Sequence, residues 1–307
     1  MCIWIPAFAG MTSGCGEVPT PNNTIQPTIV SLNPCADAIL SEIAAPGQLL
    51  AISHYSQRAS SSSMPLDEAA RYRSTGGTAE EVLALAPDIV VADPFIDPST
   101  REALERAGVQ VELLGMVATP QDSMAQVRQL AELTGNAGSG EALVTRIELA
   151  WDAAAFDGAP ATALLWQQGG IVPGEGTLAS AMLERAGFAS HSAARGLGQG
   201  AYLPLEQVLA DPPQVVLAAG EQRMLQHSAL RELEGARYER LDPSLLYCGG
   251  PTIPRALERL AEIRRSLLSP LPQAGEAGGG PQAQPAATNL TFGSPSLTAP
   301  AANGRGG

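Results

Sequence analysis

One phrase occurs twice in this chain, about half its length apart. The first copy runs from Glu80-Glu81-Val82-Leu83 through Pro87 to Asp88-Ile89-Val90-Val91-Ala92. The second runs from Glu206-Gln207-Val208-Leu209 through Pro213 to Gln214-Val215-Val216-Leu217-Ala218. In each, a glutamate opens a short apolar helical turn, a proline ends it, and an apolar run rich in β-branched residues follows. Proline lacks the helical N–H and clashes with the preceding turn, so it separates helix from strand. A repeated helix–proline–strand unit predicts two similar α/β lobes, and two lobes leave a cleft between them.

The rest of the pattern fits that frame. Thr28-Ile29-Val30-Ser31-Leu32 reads as a first strand. Asn33 then caps a helix with Pro34 at its first position and Asp37 in its first turn. Leu49–Ile52, Ile89–Ala92 and Val109–Leu114 are further strands, and Ile89–Ala92 is continuously apolar, as expected in a covered parallel sheet. Thr78 with Glu81 reads as a capping box, Asp97-Pro98 and Gly108 as the start and stop of a helix, and Thr119–Asp122 as another start. In the second half, Ala161–Gln167 is a strand, Thr177–Ala186 a helix closed by Gly187, Tyr238–Leu241 a strand, and Ile253–Leu268 a final amphipathic helix.

Alternating strand and helix throughout predicts an α/β fold: two Rossmann-like lobes with parallel-sheet cores, joined by one long helix. That helix is expected from Glu141 to about Phe156, after a break over Gly135–Gly140. It either braces the lobes against relative motion or belongs to one of them. The expected organisation is a leader or linker at 1–27, a first lobe at 28–137, the connecting helix within 138–160, and a second lobe at 161–268. Residues 269–307, rich in Pro, Gly and Ala with almost no charge, are expected to be disordered.

The net charge is −13 and every cation is an arginine, which argues against a nucleic-acid partner. Arg58, Arg195 and Arg223 lie in or near loops, where they either meet an anionic ligand or are simply solvated. None of the four cysteines, Cys2, Cys15, Cys35 and Cys248, makes a CxxC pair. Cys35 and Cys248 form one disulfide in an oxidising compartment or stay as two separate buried thiols. Residues 2–11 are apolar and Ser13-Gly14-Cys15 has the shape of a lipoprotein cleavage site, yet no Arg or Lys precedes Arg58. That makes a weak export signal, or the true start lies elsewhere. No other stretch approaches the ~20 apolar residues of a membrane span.

The motifs of catalysis are missing. His54, His191 and His227 sit in three separate segments, and no G-x-S-x-G elbow, H-x-x-x-H pair or Walker loop occurs. A dinucleotide enzyme needs G-x-G-x-x-G after its first strand, where this chain has Asn33-Pro34-Cys35-Ala36-Asp37. The glycine-rich stretch Gly169–Gly176 lacks the spacing and reads as a flexible loop. The rival readings, a two-lobed nucleotide-dependent enzyme and a receptor for free zinc or manganese, therefore have little to stand on.

Binding has more. Ligands of open α/β sheets sit beyond the carboxyl ends of the strands. Those ends supply Pro34 and Cys35, His54 and Tyr55, Phe95, Trp166 and Gln167, and Tyr247, with Tyr202 just before the second repeat. Each aromatic is either a pocket wall or lobe core. Their recurrence at ligand-facing ends favours a pocket with apolar walls and a few polar groups. His54 with Tyr55 also offers the ligand types that haem iron takes.

Thr28-Ile29-Val30-Ser31-Leu32-Asn33-Pro34, the run from Glu80 to Val91, and Gly249-Gly250-Pro251 before the last helix together resemble the substrate-binding proteins of bacterial ABC importers for vitamin B12 and ferric siderophores. The likeness covers residues 28–268. It implies two lobes joined by one rigid helix, a transported ligand between them (cobalamin, a ferric siderophore or haem), no catalysis and no resident cofactor or metal. It also implies a periplasmic or lipid-anchored monomer that docks on an inner-membrane permease. In that family a glutamate on each lobe meets arginines of the permease, and the matching residues are Glu80 and Glu206. Both are equally first-turn acids that a helix dipole favours.

Overall fold

The computed structural model describes residues 26–220, 223–233 and 235–268. The leader as far as residue 25, with Cys2 and Cys15, and the tail 269–307 lie outside the described residues.

In the first half, strands β1 (Ile29–Ser31), β2 (Leu49–Ser53), β3 (Ser74–Thr75), β4 (Ile89–Ala92) and β5 (Gln110–Leu113) alternate with α1 (Pro34–Ile43), α2 (Leu66–Ala69), α3 (Ala79–Leu83) and α4 (Pro98–Arg106). The strands form one parallel sheet in the order β3-β2-β1-β4-β5. After α5 (Pro120–Thr134) and α6 (Ala137–Ala153), the second half places β6 (Ala161–Gln167), β7 (Ile171–Val172), α7 (Leu178–Arg185), β8 (Phe188–Ser190), α8 (His191–Ala194) and β9 (Ala201–Tyr202). It continues with α9 (Leu205–Ala210), β10 (Val215–Ala219), α10 (Ser228–Arg231), β11 (Arg237–Leu241) and α11 (Thr252–Leu268). Its parallel sheet runs β11-β10-β6-β8, and β7 pairs antiparallel with β9. The fold is thus α/β with two parallel-sheet lobes, as the repeated phrase predicts.

Period-two alternation explains why the central strands are apolar throughout. Ala163 and Leu165 of β6 face one core, with Val215, Leu217 and helices α7 and α11; Leu164 and Trp166 face another, with Val216 and Ala218. The first of these cores is continuous through both lobes, from Ile29, Ile39 and Val127 through Ile147 of α6 to Leu165 and Leu257. Helix α6 packs against α1 and α5 on one side and α11 on the other. Arg264 fixes α11 to the second lobe, donating to the carbonyls of Gly187 (3.1 Å) and Ala159 (2.6 Å).

Two local expectations are corrected. Helix α6 begins at Ala137, not Glu141, and ends at Ala153. The break is confined to Gly135, in the left-handed region at φ 69°, and Asn136. Gly140 belongs inside the helix because α5 and α6 touch there: a Cβ would lie 2.3 Å from that of Ala131. Second, Thr78 caps the Glu81 N–H, but the box does not close. The Glu81 carboxylate instead accepts from the Thr75 hydroxyl (2.9 Å) and the Gly76 N–H (2.6 Å), tying α3 to the end of edge strand β3. A true reciprocal box forms at α5, between Thr119 and Asp122.

Candidate functional site

Strand order locates the site. From β1 the first sheet grows one way through β2 and β3 and the other way through β4 and β5, so the order switches between β1 and β4. In the second sheet it switches between β6 and β10, the two neighbours that flank the direction change from β8. Crevices open at such switch points, beyond the carboxyl ends of the strands. A cavity of about 480 Å³ lies there, within the range of small-molecule sites.

Each wall follows from local chain geometry. Asn33 at the end of β1 spends its side-chain oxygen on the N–H groups of Cys35 (2.8 Å) and Ala36 (3.3 Å). That cap holds the start of α1 against the cavity. After β4, Asp93 accepts from the Phe95 N–H (2.7 Å), a turn that leaves Phe95 81% exposed on the rim. After β5 comes Met116, 82% exposed. The second lobe contributes Gln167 from the end of β6, Ile171, Thr177 at the cap of α7, and Gln199. Gly174 permits the last of these approaches, since a Cβ would lie 2.2 Å from the Gln199 nitrogen. The glycine-rich stretch is therefore a packed wall carrying β7, not merely a flexible loop.

The floor joins the lobes. Cys35 at the start of α1 is disulfide-bonded to Cys248, with Cα atoms 5.2 Å apart, and both line the cavity beside Tyr247. Gly249 and Gly250 follow because nothing larger fits. A Cβ on Gly249 would sit 2.4 Å from the Ser123 hydroxyl oxygen, and one on Gly250, at φ +63°, would sit 2.7 Å from Ile39. The Gly250 N–H donates to Ser123 (2.7 Å), so the loop seats on α1 and α5. Burial, with Asp242 nearby, pushes the Tyr247 phenol up, keeping it a neutral donor at physiological pH. Asp37, in the first turn of α1, is fully buried. Its Oδ2 accepts from the Ser53 N–H (3.0 Å) and the Ser56 hydroxyl (2.6 Å). Burial raises its carboxyl to about 7.

Of the residues proposed from sequence, the structure gathers Cys35, Phe95, Gln167 and Tyr247 around one cavity. Pro34 opens α1 next to Cys35 without lining the wall. His54 and Tyr55 lie outside it, their rings 4.1 Å apart. His54 Nδ1 sits 3.2 Å from the Thr75 carbonyl, and Arg58 covers the Tyr55 ring. Tyr202 is exposed on β9, also outside the cavity. Trp166 is a correction. It is fully buried on the far face of β6, and its indole N–H donates to the Leu203 carbonyl (3.0 Å); the next residue, Gln167, lines the cavity instead. Arg195 is occupied by Asp211, and Arg223 lies in the turn after β10. Met116, Ile171 and Gln199 were not singled out from sequence. Met116 was findable, since Gly115-Met116 directly follows a predicted strand.

Glu80 and Glu206 each occupy the first turn of a short helix, α3 and α9, and are exposed with no partner among the described residues. His191 is buried, which lowers its pKa, with Arg195 adding to the effect. Among the described residues no group of three or more His, Cys, Asp or Glu is placed to hold a metal ion. No described helix is long and apolar enough to cross a membrane.

Residues 29–236 match the family model described as periplasmic binding protein. The chain belongs to the periplasmic binding protein family. Solved structures agree on the fold. The periplasmic haem-binding protein HutB of Vibrio cholerae superposes with a TM-score of 0.65 at 19% identity, covering 79% of this chain and 99% of its own. The periplasmic haem-binding protein RhuT of Roseiflexus sp. RS-1, in apo form, gives 0.62 at 21%, covering 78% and 97%. The periplasmic vitamin B12 binding protein BtuF of Vibrio cholerae gives 0.61 at 19%, covering 80% and 99%. No curated protein sequence matches the chain. In this periplasmic binding protein the cavity described above occupies the cleft between the two lobes.

Proposed function

We propose that this protein is the substrate-binding component of an ABC importer, capturing a metal chelate in the cleft and delivering it to a membrane permease. The observation that carries the reading is the exposure of large apolar side chains toward one cavity from both lobes: Phe95 and Met116 on the first, Ile171 on the second, Tyr247 on the floor. Exposed apolar surface of that kind in a concave, polar-rimmed site marks a binding surface. A continuous core through α6 and a disulfide floor keep the cleft preformed, so little ordering cost opposes capture. The protein acts without catalysis, as a monomer in the periplasm or anchored there through Cys15. The disulfide supports an oxidising compartment.

Glu80 and Glu206 are the docking residues toward the permease. One exposed ion pair contributes only about 0.2–1 kcal/mol, so such contacts orient a transient encounter. Thermal-shift titration against cobalamin, a ferric siderophore and haem tests the capture step, because a ligand bound only by the folded form raises the melting temperature. A rise with at least one is expected; no rise with any would refute the reading. Glu80→Arg with Glu206→Arg should abolish uptake in cells and leave ligand affinity unchanged.

A further inference from the structure

Two kinds of sulfur line the cavity. Cys35 and Cys248 are already joined, so neither is a free thiol. Met116 still carries an unoxidised thioether, and its side chain is 82% exposed. The other described methionines whose burial is given are shielded. Met64 is 4% and Met182 2% exposed, both inside the continuous core, and Met124 is partly buried against it. A peroxide reaches a buried sulfur only when the fold opens around it, whereas Met116 is open in the folded state. Its place gives that difference a consequence. Ala92 of β4 pairs with Leu113 of β5, so Phe95 and Met116 leave neighbouring strands at the same level, and both line the cavity. The Leu114 N–H donates to the Ala92 carbonyl (2.8 Å), and Gln126 donates to the Gly115 carbonyl. The backbone leading into Met116 is thus pinned, and the exposed thioether belongs to a fixed rim.

We propose that Met116 is an oxidant-sensitive modification site, and that its sulfoxide weakens the cleft's hold on a ligand with an apolar face. The effect on capture rests on the chelate-receptor reading above. The oxidant is a peroxide. Its terminal oxygen passes to the sulfur lone pair: the S–O bond forms, the O–O bond breaks, sulfur loses two electrons, and hydrogen peroxide departs as water. A polar S=O acceptor then stands where an apolar thioether stood. Covering that acceptor strips water from it, which is costly unless the ligand donates to it. Methionine sulfoxide reductases restore the thioether, so the change is reversible.

Peptide mass mapping of the folded full chain during a hydrogen peroxide time course reads the modification. Met116 should gain oxygen at least about ten-fold faster than Met64 or Met182. Calorimetric titration with cobalamin, ferrichrome and haemin, after the peroxide is removed, reads capture. Whichever probe binds the untreated protein should bind the oxidised protein roughly ten-fold more weakly. The melting temperature should stay put, because Met116 is outside the core. Met116→Leu should bind that probe equally before and after peroxide, which assigns the loss to this sulfur. Met116 oxidising no faster than Met64 would overturn the modification site. Oxidation there with no change in affinity, or an equal loss in Met116→Leu, would overturn the effect on capture and leave the receptor reading intact. Binding of no probe by the untreated protein would instead overturn the receptor reading and the effect on capture with it, while the mass map alone still decides the modification.

Discussion

Removing the Cys35–Cys248 bridge should destabilise the whole fold by an amount the chain separation sets. The two cysteines are 213 residues apart, so the bond closes a loop over nearly all of the folded chain. In the chain-entropy treatment, a loop of that length restricts the unfolded state by roughly 18 cal/mol/K, or about 5 kcal/mol at 25 °C. Native contacts that survive reduction, such as Gly250 on Ser123, do not alter this figure, because it belongs to the unfolded ensemble. Measured bridges commonly deliver about 2–4 kcal/mol. At about 2–4 °C per kcal/mol for a protein of this size, the Cys35→Ala, Cys248→Ala variant should melt on the order of 10 °C below the parent. Calorimetry with and without reductant is the assay. Reductant should bring the parent down to the variant and leave the variant unmoved. A variant melting within about 2 °C of the parent, or an equal response of both to reductant, would refute the argument.

The remaining predictions rest on single contacts. Trp166→Phe should cost about 1–3 kcal/mol in denaturant melts, because the buried Leu203 carbonyl loses its donor, and should leave ligand affinity unchanged. Gly140→Ala forces a methyl to 2.3 Å from Ala131 and should cost about 1–3 kcal/mol, read the same way. Ala86 adopts φ 48° on the surface just before Pro87; Ala86→Gly should raise stability by about 1 kcal/mol, seen as a later denaturation midpoint. Asp37 titrates at about 7 when folded, well above the ordinary carboxylate value, so the native state holds a proton that the unfolded chain releases near pH 4. Stability from this group is complete below about pH 4 and lost as pH rises toward 7, by up to about 4 kcal/mol. Asp37→Asn has no such titration, so that slope should appear in the difference between the two proteins' pH–stability curves.

The fold was legible because its signals are local. Asn33-Pro34, Asp97-Pro98 and Thr119-Pro120 each combine a cap with a proline at the first helical position, and all three start helices where they stand. The second repeat works despite lacking a cap, since Pro204 precedes α9 where Thr78 precedes α3. What failed was also local in origin. Gly135 to Gly140 looks like one break in composition, yet only tertiary contact with Ala131 decides that the later glycine is helical. The short strands β7 and β9 pair over a chain distance that no window of sequence spans.

The site was half legible, for a different reason. Strand ends can be read from sequence, but which ends converge depends on strand order, and strand order is a property of the sheet. His54 and Tyr55 end β2, which lies beyond β1 on the side away from the switch, so they are strand-end residues that miss the cavity. Phe95 and Met116 end β4 and β5, on the side where the order turns, and they meet it. Trp166 and Gln167 differ by one position and so by one face, a distinction that needs the register of β6 against β10, where Trp166 pairs with Ala218 and Gln167 with Ala219. Bulk drew attention to the tryptophan, but the pleat turns its smaller neighbour toward the cavity.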